Sequence, residues 1–389
     1  MFGNLSELVA AWPFGLFVLA VGACVGSFLN VCIYRLPAGK SIVWPPSHCT
    51  RCLHTIAWYD NIPVVSYFVL GGKCRRCGAT YSTRYMIVEA VTGLLFFGYW
   101  LLYFRLGMRG GADHPGVYLV HMALVSALLV SGVIDFERKE IYTSVTNVAL
   151  VIGVAGSMVW PEVQAIGSYD HALGDWTTWD RTNAAVTALV GAAVGAGLIN
   201  VTRFLGTLAF RREAMGAGDA YLMGAVGACL GWEAAVLVFL AAPFMALPYG
   251  VWQVLGRKKT EAPPEESEEE APPPKLHYGT FLVTVAGFVG LVLAASQARS
   301  EWGLAARAVL ASSLVAFGVA AWLQRREEDV GPHETGPAPS EAEESHEVPY
   351  GPFLGVAAAI VMVIQDFAVA HFRPGLEAMA ESVQRMVGL

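Results

Sequence analysis

Long runs of apolar residues separated by short polar breaks are the dominant pattern of this chain. They predict membrane-spanning helices, because most of the runs approach the roughly 20 residues that cross a hydrocarbon core. The predicted spans are 10–34, 86–104, 117–134, 143–160, 183–208, 219–231, 233–255, 280–297, 304–323 and 351–371. The segment 219–255 also fits one bent helix, so the prediction is nine or ten spans.

The composition supports the same fold class, an all-α, polytopic transmembrane bundle. Of the 389 residues, 55% are hydrophobic and only 15% are charged, whereas soluble proteins carry about a quarter charged residues. Two acidic, Pro-rich segments, 261–274 and 327–347, predict disordered linkers. The first apolar run lacks a basic segment before it, so we expect a retained span and no cleavable signal peptide.

The distribution of Lys and Arg predicts which way the spans face. Loop 35–85 contains seven Lys or Arg residues and one acid, Asp60, which favours a cytoplasmic position. Alternation from there places Asp135, at the end of the third span, and Asp219, at the start of the sixth, on the same cytoplasmic face. Two carboxylates on one face can form a pair, whereas opposite faces would exclude one.

Each aspartate also has a simpler explanation as a residue that ends or caps a helix. Asp219 would then be the N-cap of the sixth span. Gly216 and Gly218 favour the functional alternative, because they permit close backbone approach or a positive φ, which a cap does not require twice. An ionisable residue near the bilayer is costly and marks a functional or paired group.

Four of the seven cysteines lie in the same loop as two Cys-x-x-Cys pairs. They are Cys49, Cys52, Cys74 and Cys77, and their spacing predicts a closed Cys₄ site for a structural Zn²⁺ ion. A redox pair or two disulfides are the alternatives, which a reducing cytoplasm disfavours. The other cysteines, Cys24, Cys32 and Cys229, lie within spans and are predicted to be packing residues.

An ordered set of motifs resembles the type IV prepilin peptidases, which are leader peptidases and N-methyltransferases. The resemblance covers nearly the whole chain. Its N-terminal part comprises Gly26–Pro37, Pro45–Cys52, Trp58–Pro63, Ser66-Tyr67, Cys74–Gly78 and Ser82–Glu89. Ile134-Asp135, Gly216-Ala-Gly-Asp219 with Leu222 and Gly231-Trp232, and Val348–Leu354 complete it.

The resemblance implies an aspartyl endopeptidase of the bacterial inner membrane, with Asp135 and Asp219 as the catalytic pair. Its substrates would be type IV prepilins or pseudopilins, cut after a glycine on the cytoplasmic face. A second step would transfer methyl from S-adenosylmethionine to the new N-terminal amine. No Rossmann motif is present, so no residue is assigned to that cofactor, and nucleic acid is not an expected partner. A peptidase without methyl transfer and a zinc-stabilised scaffold or transporter are the alternatives.

The chain departs from the family pattern at three places. Ile141-Tyr142-Thr143 stands where a Pro-Asp pair is common, and Tyr221 stands where Lys is common. The last-span motif also occurs twice, as Tyr278–Leu282 and Tyr350–Leu354, which suggests an internal duplication that adds two spans.

These features predict seven segments along the chain. They are a first span (1–34), a zinc-binding loop domain (35–85), a transmembrane protease core (86–255), an acidic linker (256–278), an extra pair of spans (279–323), a second acidic linker (324–347), and a last span with its tail (348–389). Glu89 is a further candidate, either for binding substrate amine or cofactor or as an acid near a helix N-terminus. Asp366 and Arg203 are weaker candidates for an interior pair.

Overall fold

Helices form wherever the described part of the chain carries an apolar run. The computed structural model describes residues 9–107, 115–164, 178–210, 215–256 and 349–364, and these contain no strand. The helices are α1 (Trp12–Arg35), α2 (Val65–Leu70), α3 (Arg84–Trp100), α4 (Pro115–Arg138), α5 (Thr143–Val159), α6 (Thr178–Phe210), α7 (Ala217–Leu230), α8 (Trp232–Gly256) and α9 (Gly351–Ile364). A π-helical turn, Leu101–Arg105, continues α3, and 3₁₀ turns lie at Trp58–Asp60 and Pro161–Gln164.

Four helices of the described residues are long and apolar enough to cross a membrane: α1, α3 with its π-helical turn, α4 and α6. The helices α5 and α7, part of α8, and α9 are apolar but shorter. The predicted fold class of an all-α membrane protein is therefore confirmed. Gly231 has a φ of 90° and separates α7 from α8, so 219–255 forms two helices. The predicted spans 280–297 and 304–323 lie outside the described residues.

The chain divides into two compact units. The first comprises residues 1–106 and 243–349, and the second comprises residues 107–242 and 350–389. The predicted division into seven segments stays a prediction.

In the first unit, α1 and α3 pack antiparallel through glycines. A Cβ atom on Gly15 would meet the Trp100 ring, and one on Gly26 would lie 2.7 Å from the Glu89 Cα atom. Lipid provides no hydrophobic force that drives helices together, so small residues that permit close approach stabilise such pairs. The Asn30 side-chain amide adds a hydrogen bond of 2.9 Å to the Tyr85 carbonyl.

In the second unit, α7 is the central helix. Every residue from Leu222 to Leu230 is buried, and α7 packs against α4, α5 and α6. Its closest approach is to α6, where Gly191 faces Gly227 so closely that a Cβ atom on either would meet the backbone of the other. This central position holds the N-terminal end of α7 in place among the other helices.

We expect Gly191→Ala to lower the melting temperature of the purified protein. The added methyl would collide with the Gly227 carbonyl, and overpacking of this kind typically costs about 1–3 kcal/mol. Gly197→Ala is the matched control, because it lies on the same helix and no atom lies within 4 Å of the place that its methyl would take, and Ala favours a helix by about 0.5–1 kcal/mol. Equal melting temperatures for the two variants would contradict the proposed glycine contact.

Candidate functional site: an aspartate pair and a four-cysteine cluster

Asp135 lies in the last turn of α4 and is held by the start of α9. Its side chain is buried, and its Oδ2 atom accepts a hydrogen bond of 2.8 Å from the Gly351 backbone N–H. The helices α4 and α9 run antiparallel, with Pro352 beside Gly132 and Gly355 beside Leu128. A Cβ atom on Gly351 would lie 2.8 Å from the same Oδ2 atom, so only glycine permits this approach.

Asp219 lies in the first turn of α7, close enough to Asp135 for the two carboxyls to interact electrostatically. It is buried, and its Oδ1 atom has no hydrogen-bond partner among the described residues. A buried carboxylate oxygen without a partner is unusual and calls for a functional explanation. The two predicted aspartates therefore lie in the second unit within electrostatic range of each other, and their catalytic role stays a prediction.

The N-cap of α7 is Gly216, with φ −67° and ψ 145°, and it makes no side-chain cap bond. The alternative explanation of Asp219 as the N-cap is therefore wrong. Ala217 and Gly218 are the first two helical residues of α7, and Asp219 is the third. Its carboxyl is still near the positive end of the helix dipole, where a negative charge is stabilised.

Ile141, in the turn between α4 and α5, lies against two glycines that adjoin the aspartates, Gly218 and Gly351. A Cβ atom on Gly218 would lie 2.6 Å from the Ile141 Cβ atom, and one on Gly351 would lie 3.2 Å from its Cδ1 atom. The predicted need for close approach therefore applies to Gly218, whereas Gly216 is exposed. Tyr350 also lies close enough to Asp219 for an electrostatic interaction.

Sequence reasoning missed the hydrogen bond from Gly351 to Asp135 and the contacts of Ile141 with Gly218 and Gly351. Gly351 lies in the last-span motif, for which the sequence suggested no role. Its presence in that motif was the signal that could have marked Gly351 as part of the site. For Ile141, the departure from the common Pro-Asp pair marked the position but did not indicate what it contacts.

The four predicted zinc ligands form one cluster in the first unit. The Sγ atoms of Cys49, Cys52, Cys74 and Cys77 all lie within 4.8 Å of one another, and those of Cys49 and Cys77 are 3.7 Å apart. Four sulfurs around a tetrahedral zinc ion, with Zn–S bonds of about 2.3 Å, would be separated by about 3.8 Å. The cluster is therefore able to hold a metal ion.

Both cysteine pairs have the same backbone conformation. The amide of Cys49 bonds to the His54 carbonyl and that of Leu53 to the Cys49 carbonyl; in the second pair, Cys74 bonds to Ala79 and Gly78 to Cys74. Leu53 and Gly78 both have positive φ, 55° and 70°. The spacing of the cysteines thus produces two equivalent knuckles that present their thiols to a common centre.

Backbone hydrogen bonds and an ion pair stabilise the second knuckle. The backbone N–H groups of Cys77 and Arg76 donate to the Cys74 sulfur and lower the pKa of its thiol to about 7, which favours the thiolate that binds metal. Arg75 forms an ion pair with Asp60, with an N–O distance of 2.6 Å, and holds the pKa of that carboxyl below its usual range. The only acid of the loop therefore ties the second knuckle to the 3₁₀ turn Trp58–Asp60.

Glu89 has a different role from the simpler one that the sequence suggested. It lies in the second turn of α3, beyond the first turn, and its Oε2 atom accepts a hydrogen bond of 2.8 Å from the Val64 backbone N–H. The explanation of an acid stabilised by the dipole of its own helix is therefore wrong, since the contact is with the start of α2. Its suggested part in substrate or cofactor binding stays a prediction.

The remaining sequence candidates divide as follows. Cys32 and Cys229 are buried, which agrees with the predicted packing role, but Cys24 is exposed, so the packing prediction is wrong there. Arg203 lies on α6, and Asp366 lies outside the described residues.

These features define a class of protein: a helical membrane protein with a buried aspartate pair in one unit and a Cys₄ cluster in the other. Two family models match the chain, "Bacterial Peptidase A24 N-terminal domain" over residues 20–103 and "Type IV leader peptidase family" over residues 122–251. The two matched ranges contain the cysteine cluster and the aspartate pair, respectively.

Several curated relatives carry the name prepilin leader peptidase/N-methyltransferase. The protein from Myxococcus xanthus is 38% identical over 242 residues, which are 62% of this chain and 64% of the relative. Those from Klebsiella pneumoniae and Pectobacterium carotovorum are each 31% identical; the matches cover 59% and 67% of this chain and 92% and 90% of the relatives. No solved structure matches the chain significantly.

The chain belongs to the type IV leader peptidase family. The family predicted from the sequence motifs is thereby confirmed. The match spans slightly less than two thirds of the Myxococcus relative.

Proposed function

We propose that this protein is an aspartyl endopeptidase that cleaves the leader of type IV prepilins or pseudopilins, with Asp135 and Asp219 as its catalytic pair. The observation that carries the proposal is that these two buried carboxyls, at the ends of α4 and α7, lie close enough to interact electrostatically, with the Gly351 N–H bonded to one of them. Family membership supports the same activity.

The surroundings of the pair suit a single negative charge shared between two carboxyls. Two carboxylates close together cannot both ionise cheaply, so they hold one proton over a range of pH. The Gly351 N–H stabilises charge on Asp135, and the N-terminal end of α7 stabilises charge on Asp219. Each carboxyl therefore has its own stabilising group, so either of the two is able to carry the negative charge.

Hydrolysis then follows the usual chemistry of an aspartate pair. The ionised carboxyl takes a proton from a water molecule, whose oxygen attacks the scissile carbonyl carbon. The protonated carboxyl donates a hydrogen bond to the carbonyl oxygen as negative charge develops there. Collapse of the tetrahedral intermediate breaks the C–N bond, and a proton passes from the pair to the leaving amine.

The charge distribution of the sequence supports a cytoplasmic position for the site in a bacterial inner membrane. Loop 35–85 is strongly basic, and loops of this kind remain in the cytoplasm. We propose that the cut follows a glycine of a leader whose basic part stays on this side while its apolar part enters the bilayer.

The second proposed activity is methyl transfer from S-adenosylmethionine to the new N-terminal amine. It is supported by the names of the relatives, which are called N-methyltransferases as well as leader peptidases. We propose that Cys49, Cys52, Cys74 and Cys77 hold a structural Zn²⁺ ion, which leaves no open position for water in a closed Cys₄ site. The ion would organise the basic loop, and the loop would contribute to this second step.

The direct test is to incubate the purified protein in lipid nanodiscs with a prepilin-like peptide, with and without S-adenosylmethionine, and to follow the masses of the products. We expect cleavage after the glycine in both reactions and a gain of one methyl group only with the methyl donor. Cleavage without methylation would favour the peptidase-only alternative. No cleavage of any class of prepilin peptide would favour the scaffold or transporter alternative.

A smaller substitution tests the contact between α9 and the catalytic pair. We expect Gly351→Ala to lower the rate of cleavage by about 10²-fold, because displacement of a catalytic group by about 1 Å has effects of this size. The added methyl would lie 2.8 Å from Asp135 Oδ2 and would push the carboxyl away from its partner. Gly355→Ala, one turn along α9, is the control, since its methyl would lie 3.7 Å from Leu128 in ordinary contact. Equal rates for both variants would remove Gly351 from the mechanism.

A further inference from the structure

The short helix α2 presents an apolar surface on one side only. Val65, Phe68 and Val69 are 52%, 70% and 70% exposed, and their spacing of three and four residues places them on one face. We name these three side chains the α2 stripe. No peptidase or metal chemistry described above uses it.

The opposite side of α2 is fixed to the rest of the first unit. Ser66 is buried, and its hydroxyl oxygen accepts a hydrogen bond of 2.9 Å from the Ile62 N–H. The Tyr67 ring packs against the Tyr81 ring, with centroids 5.6 Å apart. Because this side is held by specific contacts, the α2 stripe points outward as a consequence of the fold.

The start of α2 lies deeper than the ends of the two long helices beside it. Val64, its N-cap, donates its N–H to Glu89, which is five residues, or about 7.5 Å, inside α3 at 1.5 Å per residue. Across from Glu89 on α1 is Gly26, nine residues, or about 13.5 Å, before the end of α1. Both α1 and α3 with its π-helical turn are long and apolar enough to span a membrane. The start of α2 therefore lies at a depth between the two ends of these spans.

We propose that the α2 stripe inserts into the interfacial region of the bilayer and binds an anionic lipid surface. Interfacial amphipathic segments bury their apolar side about 5–10 Å into the boundary between headgroups and acyl chains, which agrees with the level set by Glu89. The segment 36–83 carries five Lys or Arg residues against one acid, and Lys73, just beyond α2, is exposed. Basic groups beside an inserted apolar stripe attract anionic headgroups.

The size of the stripe favours lipid over a protein partner. A stable protein interface buries on the order of 1,000 Å² or more, which three side chains cannot supply. A bilayer surface needs no such area, because the adjacent spans already hold the loop at the membrane. Binding of the prepilin leader or of a second copy of the chain is therefore an alternative that the experiment distinguishes from lipid binding.

Photo-crosslinking of the full chain in nanodiscs containing anionic lipid tests the proposal, which does not depend on the proposed peptidase activity. Phe68 is replaced by benzoylphenylalanine, a prepilin-like peptide is added, and the products of irradiation are identified by mass. Tyr67, whose ring faces Tyr81, is the matched control position. We expect several-fold more lipid adduct from position 68 than from position 67.

The same experiment contains the results that would overturn the proposal. Adducts from position 68 that are mainly to the peptide, mainly to a second copy of the chain, or to lipid no more often than from position 67 would each do so. If the residue at position 68 prevents folding, seen as loss of a monodisperse elution peak, Val69 takes its place with the same expectations.

Discussion

Asp135→Asn and Asp219→Asn should each lower the kcat of leader cleavage by about 10²–10⁴-fold, the range that general acid–base groups contribute. Each amide retains the shape of the carboxyl but can neither take a proton from water nor share one with its partner. The measurement is the initial rate of cleavage of a prepilin-like peptide by purified protein in nanodiscs.

The double variant adds information that the single variants do not. If the two carboxyls act as one unit, the double variant should be no slower than either single variant, because residues that act together are strongly non-additive. Glu137→Gln is the matched control, since Glu137 is an exposed acid two residues after Asp135, and it should cleave at the unsubstituted rate. Normal cleavage by either single Asn variant would disprove the proposed pair.

Loss of one cysteine ligand should release the metal and loosen the basic loop. We expect about one zinc per chain in the unsubstituted protein and almost none in Cys52→Ser or Cys77→Ser, since structural zinc sites bind with apparent free energies of about 10–16 kcal/mol. Elemental analysis of the purified protein measures the metal, and limited proteolysis between residues 36 and 83 measures the order of the loop.

Cys24→Ser is the control for this substitution, because Cys24 is an exposed thiol on α1 outside the cluster. It should retain the full zinc content.

The two units allow a further comparison: if the cluster serves methyl transfer, Cys77→Ser should lose methylation by a larger factor than cleavage. Zinc-free protein with four reactive thiols in the cluster would contradict the proposed metal site.

The sequence predicted those features that depend on local pattern. Apolar runs predicted the helices within a few residues, since a span must satisfy its own backbone hydrogen bonds. The two Cys-x-x-Cys pairs predicted the cluster, because each pair forms its own knuckle. Asp135 and Asp219 were recognised by the cost of placing a carboxylate near lipid and by the motifs around them.

The sequence did not predict features that depend on how helices pack. The hydrogen bond from Gly351 to Asp135 joins residues 216 positions apart, and nothing near either residue indicates the other. The contact of Glu89 with Val64 was missed for the same reason, because an acidic side chain on a helix can accept hydrogen bonds from several kinds of group. The start of α7 at Ala217 was missed because small residues neither favour nor forbid a further turn.

The bond between Gly351 and Asp135 has a consequence for how activity arises during synthesis. Asp135 and Asp219 both precede α9 in the chain, so the N–H that holds Asp135 is synthesised after both aspartates. We therefore expect the nascent chain to insert its spans without being able to cut a leader, and to become active only when α9 docks along α4. The order of translation would then delay proteolysis until α9 is in place.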